Sequence, residues 1–212
     1  MTPTLALERL MLHPAYEQFV EQLRAVAPVG HVDQLDAATS DALRLMTDTG
    51  RAILGTSQAH GADAADIPSW LRLGLLDTLT GWADGRASTC RHQPTPDRPQ
   101  PVIAAAWKPG LVTCPGCVYL TALPRNSVRD RTCDACGREC AGPQHGDGIY
   151  PGMVQLGPLI YQYGTCGDCR PSTASGNPLS ATLPAEQDSL RGTGRVQPRG
   201  SRGRRRGKGG RR

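Results

Sequence analysis

Three short segments decide how this chain is read: Thr113-Cys-Pro-Gly-Cys117, Thr132-Cys-Asp-Ala-Cys-Gly137 and Thr165-Cys-Gly-Asp-Cys169. Each holds a Cys-x-x-Cys turn, which aims two sulfurs at one point while backbone amides face them. A related pair, Cys90-x-His92, lies upstream. Zinc takes four thiolate or imidazole donors in a tetrahedron, so two such pairs close one site. The four pairs together supply ligands for two Zn2+ ions: Cys90, His92, Cys114, Cys117, Cys133, Cys136, Cys166 and Cys169. The 15 residues between Cys117 and Cys133 fit zinc-site spacing. A single Cys-x-x-Cys could be a redox pair, but no βαβ pattern surrounds Cys114 and three parallel redox pairs would be odd. Disulfides would require export, and iron–sulfur ligation is a further alternative.

Four pairs allow three pairings. One joins Cys90/His92 with Cys114/Cys117 and Cys133/Cys136 with Cys166/Cys169, and a hairpin at Pro109 would bring the first two together. A ribbon pairing, 114/117 with 133/136, and a cross-braced pairing stay open. Cys140 is the odd cysteine: a buried or free thiol, or a replacement ligand. His145 is a spare, and His13, His31 and His60 lack ligand spacing.

The segments Cys114-Pro-Gly-Cys117 and Cys133-Asp-Ala-Cys136-Gly137 resemble the knuckles of zinc-ribbon and treble-clef zinc fingers. Gly137 after the second cysteine is typical of such knuckles; Val118 departs from the pattern. The resemblance covers about residues 90–170 only. It implies structural zinc and a binding role, most often toward nucleic acid or protein.

Outward from the cysteines, residues 1–88 read as helical. A helix starting near Pro14 and running to about Val26 carries Tyr16, Phe19, Val20, Leu23 and Val26 at helical spacing. A second, from about Asp36 to Ala59, puts Leu35, Ala38, Ala42, Met46, Ile53 and Leu54 near one stripe. A third, with Asp66 as its cap and Pro68 inside its start, carries Trp70, Leu71, Leu75, Leu76, Leu79 and Trp82. Three amphipathic helices can form a small bundle. Residues 89–170 hold all eight cysteines and short β-like runs. Val102–Trp107 and Leu111–Thr113 read as a hairpin around Lys108-Pro109-Gly110, and Met153–Leu156 with Leu159–Tyr163 as another through Gly157-Pro158. Residues 171–212 are rich in Ser, Thr, Gly, Pro and Arg, a composition expected to be disordered. The expected fold class is thus α+β: a small N-terminal helical bundle, a short-stranded, zinc-stabilised Cys-rich module and a disordered basic tail.

Composition supports this reading. Gly and Pro number 25 and 18 of 212 residues, and there is one Phe, so the core must be modest and metal would supplement it. The net charge of +5 hides an asymmetry: residues 191–212 hold ten Lys and Arg and no acid, leaving 14 basic against 19 acidic side chains elsewhere. No apolar run reaches the 18 or more residues of a membrane helix, and the first 19 residues lack the apolar core of a secretory signal. A cytoplasmic location is expected.

No catalytic pattern is evident. His-Glu-x-x-His, the phosphate-binding loop and the dinucleotide glycine motif are all missing. A zinc deaminase needs a His-x-Glu or Cys-x-Glu element and a Pro before its Cys-x-x-Cys; Thr113 stands before Cys114. Eight ligands would close two sites, where catalytic zinc keeps a position open. A non-enzymatic protein without a small-molecule substrate is expected. The tail residues Arg199, Arg202, Arg204, Arg205, Arg206, Lys208, Arg211 and Arg212 suit phosphate, so DNA or RNA is the expected partner. The alternative is a protein–protein adaptor whose tail is a solubilising or non-specific electrostatic extension.

Overall fold

The computed structural model describes residues 2–54 and 61–170. The expected tail, its eight candidate phosphate-binding residues and the end of the helix expected to reach Ala59 lie outside them. Four α-helices come first: α1 Pro3–Met11, α2 Tyr16–Val26, α3 Val29–Leu54 and α4 Ser69–Ala83. Five strands follow: β1 Ser88–Thr89, β2 Val102–Ala105, β3 Leu111–Val112, β4 Tyr150–Leu156 and β5 Leu159–Thr165. The mixed helix-and-strand class matches the expectation. No described helix is long and apolar enough to cross a membrane.

Helix α1 sharpens the sequence reading, which took residues 1–88 as helical but named no separate helix over residues 3–11. The Thr2 hydroxyl accepts the Leu5 amide, and Pro3 supplies the fixed φ of a first helical residue. The third expected helix begins later than its proposed cap: Asp66 sits in a preceding turn, and Pro68 holds the cap position with no side-chain hydrogen bond. Arg72 of α4, nearly buried, pairs with Glu8 of α1 at 2.9 Å and donates to the Ala64 carbonyl at 2.9 Å. Those bonds fasten α1 and the 64–67 turn to α4.

The sheet explains where the helices lie. Strand β5 is central: β2 runs parallel to it, Val102 beside Leu159, and β4 antiparallel, Leu156 beside Leu159. Side chains alternate across a strand. Val102, Ala104, Leu159, Tyr161 and Tyr163 therefore share one face, packed with Ile67, Leu71, Leu75 and Trp82 around α4. Ile103 and Ile160 share the other, packed with Ala42 of α3. A sheet apolar on both faces needs cover on both. Helices α3 and α4 supply it, burying their stripes against strands and not in a bundle of their own. The core thus draws on both sides of residue 88.

The stripe on α2 has a different fate. No α2 residue is buried, and Phe19, Leu23 and Val26 are 40%, 51% and 81% exposed. The hairpin around Lys108-Pro109-Gly110 is present in reduced form. Ile103 and Thr113 exchange backbone bonds of 2.8 and 2.9 Å, and Trp107 lies in the turn beyond β2. The hairpin through Gly157-Pro158 is longer than its expected strands, and Pro151 falls on the edge strand β4, where a missing donor is tolerated.

Candidate metal centres

The eight ligands predicted from sequence fall into two groups, Cys90/His92/Cys114/Cys117 and Cys133/Cys136/Cys166/Cys169, whose donor atoms within each group all lie within 4.8 Å of one another. Of the three pairings left open above, this is the one that a hairpin at Pro109 favours. A second device produces it. Strands β1 and β3 run parallel with Thr89 beside Val112. Cys90 follows Thr89 directly and Cys114 follows Val112 by two residues, so both ligand pairs leave the same end of one ladder.

The first centre is built from two tight turns. Gln93 donates its amide to the Cys90 carbonyl at 2.8 Å, and Cys117 to the Cys114 carbonyl at 2.9 Å. The Cys114 amide donates to the Cys90 sulfur at 3.5 Å. The Cys90 and Cys114 sulfurs are 3.7 Å apart, and His92 Nδ1 stands 3.3 Å from the sulfurs of Cys114 and Cys117. Thiolates about 2.3 Å from a central ion at tetrahedral angles would be roughly 3.8 Å apart. The donor set fits a tetrahedral ion. Burial works against the Cys90 thiolate, but hydrogen bonds from the amides and side chains of Cys114 and His92 together outweigh it and bring the thiol down to about 7. Trp82 of α4 donates its indole N–H to the Pro94 carbonyl at 2.8 Å, which ties the Cys90–His92 turn to the core.

The second centre rests on a compact hairpin. The Cys133 amide donates to the Arg138 carbonyl at 2.8 Å, Gly137 to Cys133 at 2.9 Å and Cys140 to Arg131 at 2.8 Å. The chain reverses at Gly137, whose φ of +74° is open to glycine without steric cost. That is the physical reason for a glycine after this cysteine. After Cys117 the chain continues instead as a 3₁₀ turn over Pro115–Thr121, so Val118 meets no such demand. Cys166 follows directly on β5, and its sulfur is 4.0 Å from that of Cys136.

Asp134 joins the hairpin to the strand. Its amide donates to the Gly164 carbonyl at 2.8 Å, and its carboxylate accepts the Gly164 amide at 2.7 Å. The side chain is 1% exposed and faces Arg129 at 3.4 Å. Arg138 pairs with Asp147 at 3.1 Å and Asp168 at 3.4 Å, drawing the Cys166–Cys169 turn toward the hairpin. Sequence reading gave Asp134 no role and placed Trp82 only on a helical stripe, because a residue inside or far from a Cys-x-x-Cys carries no ligand signal. Their roles depend on β5 and α4 arriving alongside. The Asp134→Ala variant should lower second-centre metal affinity by about 10–100-fold and leave the first unchanged. Competition with a chelator checks this; equal weakening of both centres would refute the positioning role.

Cys140 belongs to neither donor set. It is buried against Cys133 and Cys166, and burial, followed by the Asp147 charge, pushes its thiol up to about 11. His145 lies in a 3₁₀ turn outside both sets. His13 accepts the Ala15 amide at its Nδ1, a local turn contact.

The two centres sit at opposite ends of the sheet. The first lies beside the start of β2, which pairs with the start of β5, and the second begins where β5 ends. Seven strand residues put roughly 20 Å between them. A two-metal catalytic clamp needs its ions about 4 Å apart, so these centres cannot act as one. Each offers four donors from the protein. Set against known protein families, curated proteins and solved structures, the chain matches none of them.

Proposed function

We propose that this chain is a non-catalytic protein in which two zinc ions hold a small module in shape for binding nucleic acid, aided by the Arg-rich C-terminal segment. The observation that carries it is the pair of closed four-donor clusters. Three thiolates with one imidazole, and four thiolates, are zinc's structural donor sets. All eight cysteines are free of disulfides, as a metal role in a reducing compartment requires. Closed coordination leaves no position for a substrate, which supports a binding role over a catalytic one. Ten basic residues in the last 22 support phosphate as the partner chemistry.

The test is binding of zinc-loaded protein to labelled duplex DNA, single-stranded DNA and RNA. Full-length chain is compared with residues 1–190 across a range of salt. A tail making about six to ten phosphate contacts gives a duplex salt slope of roughly −5 to −9, lost on truncation. Binding that survives truncation and prefers one nucleic acid makes the zinc module the reader. A second reading, a protein–protein adaptor, is favoured by the apolar stripe Phe19, Leu23 and Val26 on α2, which the described residues leave exposed. An isolated helix of 11 residues is marginal in water, so a partner packed on that stripe would stabilise it. Absence of nucleic-acid binding by either form would put the adaptor reading first.

A further inference from the structure

The two centres differ in which donor faces solvent. In the first, Cys90, Cys114 and Cys117 are 3%, 9% and 2% exposed, and the exposed ligand is His92. In the second, Cys133 and Cys166 are buried, but Cys136 is exposed and Cys169 half-buried. Peroxides oxidise accessible thiolates, and imidazole is far less reactive toward them. From this asymmetry, and resting on the zinc reading above, we propose that the second centre is a peroxide-sensitive switch that opens at Cys136 while the first holds its metal.

The chemistry is a two-electron oxidation of two thiolates. The Cys136 thiolate attacks one oxygen of hydrogen peroxide, breaking the O–O bond, and becomes a sulfenic acid with loss of hydroxide. The Cys166 thiolate then attacks that sulfur and expels a second hydroxide, leaving a Cys136–Cys166 disulfide. Each sulfur gives up one electron, and the two peroxide oxygens are reduced. The two sulfurs start 4.0 Å apart and need approach by about 2 Å to bond. Cys133 and Cys169 cannot close a tetrahedron by themselves, so the metal dissociates. Asp134 and Arg138 hold the hairpin against β5 and the Cys166–Cys169 turn, which keeps the oxidised ligands close enough for a reductant to restore the site.

The experiment treats full-length chain, loaded with two equivalents of zinc, with hydrogen peroxide beside a zinc-sensitive chelating dye. Alkylation and peptide mapping then assign the cysteines lost. One equivalent of zinc should leave at least about tenfold faster than the other, with Cys136–Cys166 the first disulfide found. Dithiothreitol followed by zinc should restore two bound ions. The Cys136→His variant gives the second centre an imidazole at its exposed position, as in the first, and should slow the fast release by about tenfold. Release of both ions at one rate, or first oxidation at Cys90, Cys114 or Cys117, overturns the proposal. A chain that takes up no zinc refutes the metal reading beneath it, and is told apart by the metal analysis made before peroxide is added.

Discussion

The Cys133→Ser variant should bind one zinc ion per chain in place of two and melt roughly 10–20 °C lower than the parent. Cys133 is fully buried, and its amide closes the hairpin by donating to Arg138. Serine leaves three donors and a weak fourth at a centre whose metal supplies folding free energy. The damage does not stay local. Asp134, one residue on, is bonded to Gly164 of β5, and β5 carries Leu159, Tyr161 and Tyr163 into the core with α4. A loss of roughly 5 kcal/mol, well under the full binding energy of a structural zinc, accounts for a shift of that size. Cys140, packed against Cys133 and Cys166, is a spare thiol outside the donor set. The Cys133→Ser/Cys140→Ser double variant removes it as well and should be at least as destabilised. The first centre, at the far end of the sheet, should keep its ion. Metal analysis and circular dichroism melts check both statements; two ions and an unchanged melt in the double variant would sink the assignment.

The candidate metal ligands were legible because ligation imposes a residue type at a fixed spacing, and Cys-x-x-Cys turns advertise both. Their pairing was legible only in part: the Pro109 hairpin pointed to the observed grouping and left two others open. It depends on β1 lying parallel to β3 and on β2 lying parallel to β5, contacts between segments far apart in sequence with only two to four residues each. Strands that short carry almost no periodicity. The local hairpins at Pro109 and Pro158 could be read, since a turn signal sits between their strands. Helical spacing identified the stripes on α2, α3 and α4 alike, yet only α3 and α4 cover the sheet. Periodicity shows that a helix has an apolar face, not what covers it. Helix α1 was not separated out within the helical segment: Glu8 interrupts its apolar residues, yet it is paired with the nearly buried Arg72. A charge that reads as a solvent signal in sequence is here part of the packing.

The packing around Tyr163 should be as sensitive to change as the metal centres. Tyr163 is fully buried and meets Trp70 edge-on, with ring centroids 5.8 Å apart at 82°. Across the β4–β5 ladder it lies directly opposite Gly152. A Cβ at position 152 would come within 2.3 Å of the Tyr163 ring, so the glycine is there for close approach, not for a turn. Neither partner can yield easily. The ring is wedged against Trp70, and the backbone of β4 is fixed by its pairing with β5. Gly152→Val should therefore cost about 3 kcal/mol or more, at the top of the range for overpacked cores. Tyr163→Leu, which removes the ring, should cost about 2–4 kcal/mol through lost contacts with Trp70 and α4. The double variant is the discriminating one. With the ring gone, the valine side chain occupies space the tyrosine has vacated, so the double variant should be more stable than the sum of the single costs by at least about 1 kcal/mol. Urea unfolding of the four zinc-loaded proteins measures this cycle. Costs that add to within about 0.5 kcal/mol would mean that Tyr163 does not cover Gly152, and the register of β4 on β5 would have to be redrawn.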